Sequence, residues 1–98
     1  QADIRNALPK DLQAFVAQHG LTISAPEPSY ERGRTSVAFN DAEKALLQKK
    51  TIEYYTEVLN DVKADPDFKN ASQQEKQRWV DHELDRAKRA AKQEVLST

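Results

Sequence analysis

The chain predicts an all-α fold: a short N-terminal helix, an extended arm and a long antiparallel helical hairpin. Capping-box patterns at Asn40 and Ser72 mark the starts of two long helices. An Asp65-Pro66 break separates them, and apolar residues recur at helical spacing on both sides. One domain is expected over the 98 residues, with a helix in 1–20, the arm in 21–39 and the hairpin in 40–98.

The first helix is expected from Pro9 to His19. Pro9 suits a first helical position, where its missing N–H costs nothing. Leu8, Leu12, Phe15, Val16 and His19 share one stripe, and Gly20 follows as a C-terminal cap that takes positive φ. Ala25-Pro-Glu-Pro28 then favours an extended path. Leu21–Ile23 and Ser36–Phe39 have the composition of short strands that could pair as a small ribbon; the other reading is an arm without strands.

The second helix is expected from Asn40 to Ala64, with Glu43 completing the capping box. Leu47, Ile52, Tyr54, Tyr55, Val58, Leu59 and Val62 cover a face roughly 160° wide, too wide for one neighbouring helix. Leu12, Phe15 and Val16 of the first helix are expected on it. The last helix runs from Ser72 to Val95, with Glu75 in its capping box and a stripe of Val80, Leu84, Ala87, Ala91 and Val95. The turn between the two is short, so they should lie antiparallel, each roughly 35 Å long at 1.5 Å per residue.

Composition limits the function classes. Apolar residues make up 38% and charged residues 32%, with a mean hydropathy of −0.87. A globular average is closer to ~45–50% apolar, so a thin core and dependence on a partner are expected. A net charge of −1 argues against a generic polyanion binder. There is no cysteine for disulfide or thiol chemistry. No apolar run reaches the ~18–20 residues of a membrane span, and no secretion-signal pattern is present. Cytoplasmic synthesis is the expectation. The first residue is Gln1 rather than Met, which fits either a processed chain or a piece of a longer protein.

No catalytic constellation can be assembled, and no enzyme activity is expected. His82-Glu83 resembles the start of a zinc-protease motif, but Arg86 occupies the second ligand position, and neither a metal nor a cofactor is expected. Trp79 lies about 120° from the core stripe, either folding over Phe68 or Tyr55 or anchoring an interface. Tyr54, Phe68, Trp79 and Tyr30 are the expected partner-binding residues, with Phe68 the apolar anchor of the turn. Arg78, His82, Arg86 and Arg89 line one helix face, and Arg32 and Arg34 flank Gly33 in the arm. Those six could contact phosphates, although Asp81, Glu83 and Asp85 among them suit an ordinary solvated face.

The hairpin also resembles one found in bacteriophage and mobile-element structural proteins. The likeness lies in Tyr55-x-x-x-Leu59, Asp65-Pro-Asp-Phe-Lys69, Ser72-x-x-Glu75-Lys76 and Arg86-Ala-Lys-Arg-Ala-Ala-Lys92, about half of the chain. It implies a structural or assembly role in a virion and no catalytic residues. The expected function is non-enzymatic protein–protein interaction, by self-association or by docking to a larger partner. Nucleic-acid binding and inhibition of a host enzyme are the alternatives.

Overall fold

A computed structural model describes residues 4–98; Gln1 lies outside this range. Its elements are α1 (Lys10–Gln18), β1 (Ser29–Arg32), β2 (Thr35–Ala38), α2 (Asp41–Ala64) and α3 (Gln73–Ser97). Short 3₁₀ turns at Arg5–Ala7 and Phe68–Asn70 precede α1 and α3.

The helix ends follow from local chemistry. Both capping boxes form: the Asn40 side chain accepts from the Glu43 N–H, and that of Ser72 from the Glu75 N–H, each glutamate reaching back to the cap N–H. Pro9 is the N-cap of α1 rather than its first helical residue. The end of α1 is a Schellman motif. Leu21 N–H donates to Val16 C=O at 3.0 Å, Gly20 N–H donates to Ala17 C=O at 3.2 Å, and Gly20 takes φ +60°.

The helices α2 and α3 lie antiparallel, as the short turn requires. Every third or fourth residue of α2 is buried: Leu47, Thr51, Tyr55, Leu59 and Val62. They meet Val80, Leu84, Ala87, Ala91 and Val95 of α3. The largest core cluster adds Ile4, Leu8, Leu12, Phe15, Val16, Leu21 and Ile23 to this seam. A smaller cluster of Phe39, Leu47, Ala91 and Val95 lies at the α2 N-terminal end. The wide face of α2 is thus covered by this chain's own first third. Among the described residues Leu96, 44% exposed, is the one exposed large hydrophobic. The other large hydrophobic side chains among them are buried or half-buried.

The fold is mostly helical, but an all-α fold is not what forms. β1 and β2 pair antiparallel, Ser29 with Ala38 and Tyr30 with Val37. The second strand lies close to the expected one; the first does not. Leu21 and Ile23 enter the hairpin seam instead of pairing as a strand. Side chains of α3 satisfy this part of the arm. The Gln77 amide accepts from the Thr22 N–H at 2.9 Å and donates to the Thr22 carbonyl at 3.1 Å. The Gln73 amide donates to the His19 carbonyl at 2.7 Å.

Candidate functional site

The expected partner-binding residues fall in two places. Phe68 and Trp79 gather near the hairpin turn, where His19 of the first helix's stripe joins them; Tyr30 and Tyr54 pack on the smaller core cluster.

Phe68 is only 2% exposed, so it is a core residue and not a docking anchor. The 3₁₀ turn directs its ring inward. There it meets Phe15 at 5.6 Å, the edge of His19 at 5.4 Å and Trp79 in a T-shaped contact at 5.3 Å. Lys76 Nζ lies 5.8 Å from the ring centroid. Trp79, half-buried, folds over Phe68. Tyr54 is half-buried and donates its hydroxyl to Glu94, which also pairs with Lys50 at 3.4 Å. Tyr55 is fully buried and donates to the Ser24 carbonyl at 2.7 Å; burial pushes its hydroxyl pKa well up.

Arg78, His82, Arg86 and Arg89 are all exposed on α3. Arg89 pairs with Asp85, and Lys88 turns the other way to donate to Ser24 Oγ at 3.0 Å. The stripe is interrupted by its own acids, as on a solvated helix face.

Several ionisable groups tie stability to pH. Burial, then the charge on Lys76, lowers the pKa of His19 below its ordinary 6.5. Hydrogen bonds from the Ser72 cap lower Glu75, and the Tyr54 hydroxyl lowers Glu94, both below the ordinary 4.5. In each case folding favours the deprotonated form. The stability is present above the ordinary pKa and lost as pH falls through the folded one. Melting temperature followed on acidification should fall in two stages, the first starting near 6.5 and the second near 4.5. His19→Gln should remove the first stage; a first stage that survives this change would exclude His19 as its source.

Two surface features outside the helical stripes stand out. One is the ribbon. Its two-residue turn has positive φ at Gly33 alone, +63°, as a type II′ hairpin turn requires. Arg32 and Arg34 are exposed at this tip. Tyr30 stacks on Phe39 at 5.4 Å and ties the base of the ribbon to the core. The Phe39 N–H donates to the Pro28 carbonyl at 2.9 Å and extends the ladder. In this register the N–H and C=O groups of Ser36 and Ala38 point out from β2. The sheet has no third strand among the described residues. Thr35, Ser36 and Ala38 are exposed and Val37 half-buried, so β2 presents an edge with no charged side chain.

The other feature is an apolar groove of about 550 Å³ between α2 and the arm. Ile4, Ala25 and Pro26 form one wall and Leu47 part of the other. Lys44 stands at the rim, and Thr51 lies one turn beyond Leu47 in the floor. A stripe of apolar residues alone omits Thr51. Its position midway between Leu47 and Tyr55, four residues from each, is the signal that places it in the core register.

Comparison with protein-family models, curated proteins and solved structures gives no match.

Proposed function

We propose that this chain is a non-enzymatic protein-interaction module that self-associates through the outer edge of β2. The observation that carries this reading is an exposed strand edge without the charged residues or proline that usually block pairing. The apolar surface of the helices is already used within the chain, which leaves the ribbon as the open element.

Two copies pair antiparallel about Val37. The Ser36 N–H and C=O of one copy meet those of Ala38 in the other, and the reverse, making a four-stranded sheet with two-fold symmetry. Arg32 and Arg34 of the two copies then lie at opposite ends of the sheet, so like charges do not collide. Assembly of this kind agrees with the role implied by the hairpin's resemblance to phage structural chains. No feature specifically favours nucleic acid: the basic stripe is interspersed with acids and the net charge is −1.

Molar mass measured over a concentration series tests the reading. It should rise from 11.1 kDa towards twice that value as concentration increases. Ser36→Pro removes an outward-pointing N–H and leaves the ribbon's internal ladder intact. The variant should keep its circular dichroism spectrum and stay monomeric. A wild-type chain that is monomeric throughout, or a Ser36→Pro variant that still dimerises, would overturn the reading.

A further inference from the structure

We infer, resting on the β2-edge pairing proposed above, that Arg34 of each copy forms an ion pair with Asp41 of the other, so that charge selects a second copy of this chain as the partner strand. The main-chain contact alone is short. Ser36 and Ala38 are the β2 residues whose N–H and C=O groups point outward. Asn40 has the same parity, but its N–H donates to the Glu43 carboxylate at 2.8 Å and its carbonyl accepts from the Lys44 N–H at 2.8 Å. The ladder therefore closes at Ala38, and so short a ladder is marginal in water.

The register says which side chains flank it. With Val37 opposite Val37 and Ser36 opposite Ala38, Arg34 lies opposite Asn40 of the second copy. The backbone is still extended at that point, since Asn40 has φ −75° and ψ 177°. Asp41 follows as the first residue of α2. Arg34 of one copy and Asp41 of the other are then within about 9 Å at Cα, a span that their side chains close.

Both residues are exposed, and neither makes an ion pair among the described residues. Within one copy β2 holds them about 20 Å apart, so they cannot pair there. Each edge is thus positive at one end and negative at the other. A two-fold axis through Val37 lays the positive end of one edge on the negative end of its mate, twice. Lys44 and the partial positive charge of the α2 N-terminus oppose the arginine, but two acids in the first turn, Asp41 and Glu43, outweigh them. The basic tip then reads a carboxylate rather than a phosphate.

Sedimentation equilibrium of the full-length chain at about 0.05 M and about 1 M sodium chloride provides the test. The wild-type dimer should weaken as salt rises. At low salt Arg34→Asp and Asp41→Arg should each weaken it about twofold to thirtyfold, the loss expected for two exposed pairs. The double exchange should return association to near the wild-type level, and each variant should keep the wild-type circular dichroism. Should Asp41→Arg loosen α2, Asp41→Asn removes the charge more gently and should still weaken the dimer. A dimer indifferent to salt, one that withstands either single change, or a double exchange no tighter than the single variants overturns the ion pair and leaves the β2-edge reading standing. A wild-type monomer, or a dimer that survives Ser36→Pro, overturns both.

Discussion

Phe68→Ala should destabilise the protein by about 3–5 kcal/mol, the range for truncating a buried aromatic residue. The ring is 2% exposed and contacts Phe15 of α1, His19 at the end of α1 and Trp79 of α3. Its removal leaves a hole where the turn, α1 and the first turns of α3 converge. None of the three rings can fill it without leaving its own packing. In a domain of this size, a loss of that order lowers the melting temperature by about 15 °C or more. Urea unfolding followed by fluorescence of Trp79, the single tryptophan, provides the measurement. A change below about 1 kcal/mol would show that Phe68 lies at the surface and restore it as a docking anchor.

Thr51→Val should act in the opposite direction, raising stability by about 1–3 kcal/mol. The substitution preserves shape and β-branching and removes a buried hydroxyl that has no partner among the described residues. Thr56→Val is the control. Its hydroxyl already donates to the Ile52 carbonyl, so replacing it should yield no comparable gain. Equal effects at the two sites, or a loss at Thr51, would show that its hydroxyl is satisfied in solution. A stabilising Thr51→Val would also mean that the natural residue is retained at a cost to the fold, as is common at binding sites.

Much of the fold could be read from the sequence because it is locally encoded. Asn40 with Glu43, Ser72 with Glu75, and Gly20 after His19 each act within a few residues, and each forms the expected cap. The ribbon was hard to read for the opposite reason. Its strands are four residues long, one carries Glu31 and Arg32, and neither turns a continuous apolar face to the core. The path of the arm depends on Gln77, 55 residues beyond Thr22, and no local pattern announces that contact. Phe68 looked exposed because it lies in a polar turn, yet the 3₁₀ geometry directs its ring inward. At the candidate sites, the basic tip and Tyr30 were visible as residue types. The strand edge and the groove were not, since each exists only once distant segments are in place.

The grip of Gln73 and Gln77 on residues 19–22 has a consequence for how the molecule comes apart. Without residues 4–24 the hairpin would present part of its seam to water, and without α3 residues 19–22 would lose the side chains that satisfy their backbone. Neither portion is a free-standing subdomain. The two portions are therefore expected to unfold together, and a cut between α1 and α2 should lower the stability of the hairpin rather than release an unaffected rod.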